Sequence, residues 1–272
     1  MILAINYADE SFSKAQKWNL ETALRWGADK VIGYTPKDID AEFREKNKDI
    51  LAAKKGNGFY LWKPYFLNKA YKELEDGDYL IYTDAGSIYI NKIQYLIDCM
   101  EKEEMDIMTF SLEKEMLERK YNKRDAFVLM GCDIPEYANT PQSIGGYVVL
   151  KKSPFVEKFL KEDLEYAQDP RIITEQENTQ GKPNYPDFVV HRHDQAVWSL
   201  MVKKYHLKRF RDPSQFGMQN SYEKDVEERR TFPQIIDSHR MNVGSRFELS
   251  WRRSRLGKIY IRIKSKLGNR RP

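Results

Sequence analysis

The chain has 272 residues, enough for one large α/β domain or one domain with an appendage, and its 41% apolar residues can fill a core. Its net charge of +5 is uneven: residues 251–272 carry nine Lys and Arg and no acid, which leaves −4 for residues 1–250. An acidic body argues against a nucleic-acid-binding domain, and the sequence therefore predicts a globular domain at 1–250 followed by a basic tail at 251–272.

Strand and helix patterns alternate through the first part of the chain. The predicted elements are a strand at Ile2–Asn6, a helix at Ser11–Trp26, a strand at Lys30–Tyr34, a helix at Asp38–Lys48, a loop at Gly56-Asn57-Gly58, a helix at Trp62–Leu74, a strand ending at Asp84, a helix at Asn91–Glu101 and a strand at Asp106–Phe110. This rhythm predicts a mostly parallel sheet with right-handed crossovers, flanked by helices.

The second part of the chain is less regular. The predicted elements are a helix at Lys114–Leu129 broken near Asn122, a strand at Gly145–Leu150, a helix at Pro154–Tyr166, a loop at 178–187, a helix at His193–Tyr205 and an irregular segment at 211–230.

Location is predicted from three absences. The sequence has no run of about 18 apolar residues, no signal-peptide pattern at its first residues, and no cysteine framework around Cys99 and Cys132. These features favour a reducing cytoplasm.

The first candidate site follows the strand that ends at residue 84. Asp84-Ala85-Gly86 stands at the carboxyl end of an apolar run, where open α/β sheets bind their ligands. A carboxylate there can hold a divalent cation or a ribose hydroxyl, and Gly86 lets a ligand approach the backbone. The alternative is an Asx turn after a core strand.

Two further segments combine aromatic, charged and amide groups. In Gly56–Tyr65, Trp62 can stack on a base or sugar and Lys63 can neutralise a phosphate; the alternative is core packing with a solvated lysine. In the segment 186–198, Asp194 and Gln195 can bind sugar hydroxyls; the alternative is that His193 or Asp194 caps the following helix.

Histidines offer two candidate metal ligands. His191 and His193 would share one face of an extended segment, although no third ligand lies nearby in the sequence. His239 could join Asp84, a ligand pair that suits Mn²⁺ better than Ca²⁺. The alternative for His239 is a loop histidine bonded to the backbone.

Taken in order, these segments resemble GT-A fold glycosyltransferases, and particularly bacterial enzymes of surface-polysaccharide and lipopolysaccharide synthesis. The resemblance covers roughly residues 1–240 and is carried by Phe-Tyr-Leu-Trp-Lys-Pro-Tyr, by Asp-Ala-Gly after the strand, and by His-Arg-His-Asp-Gln. It implies a GT-A, Rossmann-like sheet and a hexosyltransferase that uses a nucleotide sugar, with a UDP-sugar favoured, and a glycan or lipid-linked acceptor.

The resemblance also implies roles for individual residues. The implied donor-binding residues are Asn6, Tyr7, Trp62, Lys63, Asp84, Ala85 and Gly86. The implied acceptor-binding residues are Gly145, Gly146 and His193. The implied catalytic residues are Asp194 and Gln195, and the implied metal ligands are Asp84 and His239. The implied cofactor is Mn²⁺ or Mg²⁺. Gly86 stands where the family usually has a second aspartate, so substrate phosphates and water would complete the metal shell.

Two other functions stay open, a nucleotidyltransferase and a non-catalytic sugar- or membrane-binding module. The nucleotidyltransferase lacks support because no Gly-rich phosphate loop follows the first strand. In the tail, apolar and basic residues at helical spacing are typical of an interfacial helix on an anionic membrane, the alternative being a disordered basic tail. The expected location is therefore cytoplasmic and peripheral, on the inner face of the cell membrane.

Overall fold

The computed structural model describes residues 1–229, 231–254 and 256–257. Its centre is a six-stranded sheet in the order β2-β1-β3-β6-β5-β7, and a second sheet pairs β4 with β8. The strands are β1 (Ile2–Tyr7), β2 (Lys30–Tyr34), β3 (Tyr79–Thr83), β4 (Ser87–Tyr89), β5 (Ile107–Ser111), β6 (Tyr147–Lys151), β7 (Arg209–Arg211) and β8 (Ile236–Ser238). In the large sheet only β6 runs antiparallel to its neighbours. This mostly parallel α/β sheet confirms the predicted fold class.

Helices cover both faces of the large sheet. The longer helices are Ser13–Arg25, Trp62–Tyr71, Gln94–Lys102, Pro154–Ala167, His193–Lys204 and Arg246–Arg253. The shorter ones are Ala41–Lys46, Lys48–Leu51, Glu118–Tyr121, Arg124–Leu129, Pro135–Ala138, Pro170–Ile173, Phe216–Gln219 and Lys224–Glu228, with 3₁₀ turns at Glu10–Phe12 and Pro36–Asp38.

Strand β3 lies at the centre of the sheet and is buried on both faces. Leu80 and Tyr82 join the core beneath the helices Trp62–Tyr71, Pro154–Ala167 and His193–Lys204, whereas Tyr79 and Ile81 join the core on the opposite face. A strand covered on both faces needs apolar side chains at successive positions, which explains the uninterrupted apolar run. The same run carries the chain to Asp84 at the sheet edge.

Several predicted elements differ in detail. The break expected near Asn122 is confirmed: Asn122 has an extended backbone, and its side chain donates to the Glu118 carboxylate at 2.5 Å. The segment 211–230, predicted to be irregular, contains the end of β7 and two short helices. Strand β7 escaped prediction because it has three residues and is set by its pairing with β5, far away in the chain.

The segment predicted as a loop at Gly56-Asn57-Gly58 is a hydrogen-bonded turn. Five successive residues, 56 to 60, have positive φ angles between 51° and 93°. The turn is closed by bonds from the amides of Gly58 to Ala53 and of Tyr60 to Gly56, at 2.8 and 3.1 Å. A Cβ on Gly58 would lie 2.8 Å from the Leu51 Cα, so glycine is required there. Backbone strain of this kind concentrates at functional sites.

The helix Arg246–Arg253 crosses the predicted domain boundary after residue 250. Ser245 caps it by accepting the Glu248 amide at 3.1 Å, and the Glu248 carboxylate accepts the Gly244 amide at 3.0 Å. Most of the predicted tail, residues 258–272, lies outside the described residues, so the boundary stays a prediction. Among the described residues, no helix has the length and apolar character needed to cross a membrane.

Candidate functional site

Two clefts meet at Asp84, at the carboxyl ends of β1 and β3. The aromatic cleft, about 350 Å³, is lined by residues that include Tyr7, Trp62 and Asp84. The arginine cleft, about 250 Å³, is lined by Arg192, Arg240 and again Asp84. Strands β1 and β3 are parallel neighbours, and the chain leaves β1 for β2 on one side before returning to β3 on the other. Such a switch point opens a crevice at the strand ends, and ligands bind there.

Asp84 is the half-exposed carboxylate on the wall between the clefts. Its side chain is 52% exposed, and its Oδ1 accepts the Tyr82 hydroxyl at 2.6 Å and lies 3.5 Å from the Lys63 ammonium. Burial, followed by the charge of Asp84, raises the Tyr82 pKa well above its usual value. Tyr82 therefore stays protonated and donates to Asp84, which orients the carboxylate toward the clefts.

Lys63 lies behind Asp84, in a buried cluster with Asp194. Its Nζ is 2.6 Å from an Asp194 carboxylate oxygen and donates to the Gly145 carbonyl at 3.0 Å. Burial opposes the lysine charge, but Asp194 and then Asp84 outweigh it and raise the Lys63 pKa above its ordinary value. The predicted donor residue is thus a fixed buried cation rather than a mobile cleft side chain.

The glycine pair before β6 allows close packing around this cluster. A Cβ on Gly146 would lie 2.9 Å from the Asp84 Oδ2, and a Cβ on Gly145 would lie 3.0 Å from the Gln195 Cβ. The Gln195 Oε1 accepts the Gly145 amide at 3.1 Å, and its Nε2 donates to Gln142 at 3.0 Å. Gln195 and Gly146 line the arginine cleft, whereas Gly145 and Asp194 line a small enclosed cavity behind it.

The structure brings most of the predicted donor residues together. Five of the seven line the aromatic cleft, namely Tyr7, Trp62, Asp84, Ala85 and Gly86. The Tyr7 and Trp62 rings stack with centroids 3.8 Å apart. Asn6 does not line this cleft: it is 1% exposed, and its amide donates to Asn19 at 2.7 Å on the opposite face of β1. Successive strand residues face opposite sides, so Tyr7 and Asn6 cannot both reach the cleft.

The predicted histidines are buried away from both clefts. His193 bonds the Ile173 carbonyl at 2.9 Å and packs against the Phe59 ring, with centroids 5.0 Å apart. His191 bonds the Ile172 carbonyl at 2.8 Å. Both rings thus connect the start of the helix His193–Lys204 to a neighbouring helix. His193, predicted to bind the acceptor, lines neither cleft.

His239 stacks on Trp18, with ring centroids 5.5 Å apart, and burial lowers its pKa to about 4. Its Nδ1 accepts the Met241 amide at 3.1 Å, which uses the one lone pair of a neutral ring. Metal binding through Nε2 would require that bond to break. No group of three or more His, Cys, Asp or Glu side chains in the described ranges is placed to hold a metal ion. Of the two predicted metal ligands, Asp84 faces the clefts and His239 does not.

Sequence reasoning missed several groups at the site. The aromatic cleft also contains Asp9, Lys54, Asn57 and Tyr60, and Asn57 donates to Asp9 at 3.0 Å. Asp9 follows β1 as Asp84 follows β3, so its position after a strand was an available signal. The arginine cleft contains Arg192 and Arg240; Arg192 lies in the candidate segment 186–198 and Arg240 directly follows His239, but neither arginine was given a role.

Asp163 is a buried carboxylate beside the Lys63–Asp194 pair. It is 3% exposed and lines the enclosed cavity, and its Oδ1 has no hydrogen-bond partner among the described residues. Burial, with Asp194 as the next cause, raises its pKa well above the usual value. The folded protein therefore holds a proton here that the unfolded chain releases near pH ~4.

We expect Asp163→Asn to change the pH dependence of stability. Because the folded state binds the extra proton, the wild-type free energy of unfolding should fall as pH rises above ~4, by up to ~1.4 kcal/mol per pH unit. The variant should lack this loss and gain stability relative to wild type toward neutral pH. Urea unfolding across pH measures both, with the exposed Asp49→Asn as control. A pH-independent difference between variant and wild type would contradict a protonated Asp163.

Comparisons with known proteins give distant structural similarities. No family model and no curated protein matches the chain. One similar solved structure is the apo form of the WbbM bifunctional glycosyltransferase, at 9% identity and a TM-score of 0.47, covering 86% of this chain. This chain spans 45% of the WbbM chain. Another is apo mouse xyloside xylosyltransferase 1, at 14% identity and a TM-score of 0.38, covering 76% of this chain and 83% of that one. Both TM-scores are too low to establish a shared function.

Proposed function

We propose that this protein is a GT-A glycosyltransferase that moves a hexose from a nucleotide sugar to a glycan or lipid-linked acceptor in cell-surface polysaccharide synthesis. The observation that carries the proposal is the position of Asp84, on the wall shared by two clefts at a switch point of the sheet. A transferase needs donor and acceptor sites that meet at one point. Two clefts that share a carboxylate provide this arrangement.

The aromatic cleft is the proposed donor site. The stacked Tyr7 and Trp62 rings give it a rigid aromatic wall, which suits a nucleotide base, with a UDP-sugar favoured. The left-handed turn at 56–60 lines the same cleft and fixes Tyr60 beside the wall. The diphosphate would then lie toward Asp84.

Positive charge near Asp84 would stabilise the leaving group. A nucleoside diphosphate gains negative charge as the sugar leaves, and fixed positive charge stabilises it. Lys63, 3.5 Å from Asp84, is a permanent cation at this place. Mn²⁺ or Mg²⁺ held by Asp84 would add Lewis-acid stabilisation of the same oxygens.

Asp194 and Gln195 differ in their access to substrate. Asp194 is 8% exposed and paired with Lys63, which suits a positioning residue that holds the lysine toward Asp84. Gln195 lines the arginine cleft with its amide fixed by Gly145 and Gln142, so it can contact the sugar near the reacting carbon. Whether the reaction retains or inverts configuration is decided by analysis of the product anomer.

Thermal-shift screening against UDP, GDP, CMP and their sugars, with and without Mn²⁺, tests the proposal. A ligand that binds only the folded state raises the melting temperature. A selective rise with one nucleotide sugar, followed by its hydrolysis or transfer, is the expected result. No response to any nucleotide from folded protein would reject the transferase in favour of a binding module.

The tail is the proposed contact with the inner face of the cell membrane. Leu256 is 75% exposed, and nine basic residues lie in 251–272. Exposed apolar side chains among cations suit an anionic lipid surface. We expect removal of residues 251–272 to abolish sedimentation with phosphatidylglycerol vesicles and leave sedimentation with phosphatidylcholine vesicles at background. Unchanged sedimentation would reject the tail as anchor.

A further inference from the structure

The arginine cleft presents two guanidinium groups next to the proposed reaction centre. Arg192 precedes the helix His193–Lys204, and Arg240 follows β8, so residues distant in the chain converge on one cleft. The Arg240 amide donates to the Gly86 carbonyl at 2.7 Å. This bond fixes the Arg240 backbone against the Asp84-Ala85-Gly86 segment.

Both guanidinium groups are held by aromatic rings. The Arg192 guanidinium carbon lies 3.9 Å from the centroid of the Tyr121 ring, and that of Arg240 lies 5.2 Å from the centroid of Phe216. Stacking uses the face of a guanidinium and leaves its N–H edges available. Two such edges are pre-oriented donors for a planar or tetrahedral anion.

Neither guanidinium is paired with a carboxylate within residues 1–229, 231–254 and 256–257, although Arg240 is close enough to Asp212 to lower the pKa of that carboxyl. Neither forms an ion pair or a side-chain hydrogen bond there, although Arg192 is half-buried. Burial lowers the Arg192 pKa and the charge of Arg240 lowers it further, while Tyr121, Glu118 and Glu113 oppose the change. A bound anionic ligand would offset both the burial of the Arg192 charge and its repulsion by Arg240.

The acids that face this cleft already have partners. Asp212 is 6% exposed and its Oδ1 accepts the Ser214 amide at 2.7 Å. Burial raises the Asp212 pKa, and the Ser214 hydrogen bonds, Arg240 and Arg211 oppose this change only in part. Asp84, on the shared wall, has Tyr82 and Lys63. Burial favours the neutral form of Asp212, so this acid offsets little of the charge of the two arginines, and an anionic ligand would supply the missing counter-charge.

We infer that the arginine cleft binds an acceptor sugar that carries an anionic group, a carboxylate or a phosphate. This inference rests on the proposed function, because it makes the aromatic cleft the donor side. The diphosphate of the donor is an alternative ligand for the two arginines. It is disfavoured because the arginine cleft lies across Asp84 from the aromatic wall and shares only Asp84 and Gly86 with the aromatic cleft. Gln195 and Ser238 line it as well, and amide and hydroxyl groups suit sugar hydroxyls.

The test is a ligand-observed NMR titration of the full chain with glucuronate, glucose 6-phosphate and neutral glucose, each with and without UDP. The variants are Arg192→Gln and Arg240→Gln, and the control is Arg25→Gln, an exposed arginine on the helix Ser13–Arg25. We expect an anionic sugar to bind about tenfold tighter than glucose and each cleft variant to lose about that factor. UDP affinity should change less than about twofold in all three variants.

Three outcomes separate the explanations. Equal affinity for glucose and both anionic sugars would overturn the inference. A loss of UDP affinity in the two cleft variants, with uridine unaffected, would also overturn it and assign the arginines to the donor diphosphate. Arginine-dependent binding of anionic sugars in a protein that binds no nucleotide would support the anion site and reject the proposed transferase. Whichever of glucuronate and glucose 6-phosphate binds with the higher affinity shows whether the preferred anionic group is a carboxylate or a phosphate.

Discussion

Asp84→Asn should abolish turnover while leaving the fold intact. The substitution keeps the shape of the side chain and removes its charge from the wall between the clefts. The side chain is 52% exposed and an asparagine Oδ1 can still accept the Tyr82 hydroxyl, so the change in stability should stay near ~1 kcal/mol or below. Removing one pre-organised electrostatic group costs on the order of 10²–10³-fold in turnover, and the loss of a cation site would add to it.

Release of nucleotide from the donor identified by thermal shift measures this effect. Asp84→Asn should unfold within a few degrees of the wild type, and replacing Asp49, an exposed acid on the helix Lys48–Leu51, by asparagine should leave turnover unchanged. Titration of Mn²⁺ in the presence of UDP supplies a second readout: binding should weaken in Asp84→Asn and persist in Asp49→Asn. Near wild-type turnover in the Asp84 variant would remove the basis of the proposed function.

The sequence made β3 and its terminal acid predictable because both depend on local pattern. An apolar run bounded by a turn and ended by Asp84 requires no knowledge of distant residues. Trp62 was predictable for the same reason, because it stands at a recognisable helix start, whereas Tyr7 was expected only from the family resemblance. The sheet followed from the alternation of these elements.

The rest of the site depends on contacts between distant segments. The burial of Asn6 follows from which face of β1 meets the helix Ser13–Arg25, and strand alternation leaves both faces possible. The pairing of β4 with β8 is likewise non-local, and it brings Arg240 beside Gly86. A basic residue in a loop has no local sign of this convergence.

Lys63→Met should destabilise the protein and reduce turnover together. The change leaves Asp194 buried at 8% exposure without its cation, and breaking a buried pair in this way costs about 3–5 kcal/mol. Burial raises the Asp194 pKa even beside Lys63, and the Lys63 pKa is also raised, so the wild-type pair is charged from above the Asp194 pKa up to ~10. The loss of stability in Lys63→Met should therefore arise from the unpaired Asp194 carboxylate.

An unpaired, buried Asp194 should take up a proton, so the folded variant binds more protons than the unfolded chain. The loss of unfolding free energy in Lys63→Met should accordingly grow as pH rises from about 5 to about 8. The double variant Lys63→Met with Asp194→Asn removes the unpaired charge and should recover most of the stability, without the added pH dependence, while turnover stays low because the cation beside Asp84 is still absent. Urea unfolding of the two single variants and the double variant measures the coupling. Recovery of turnover together with stability would show that Lys63 serves the fold and has no role in the chemistry.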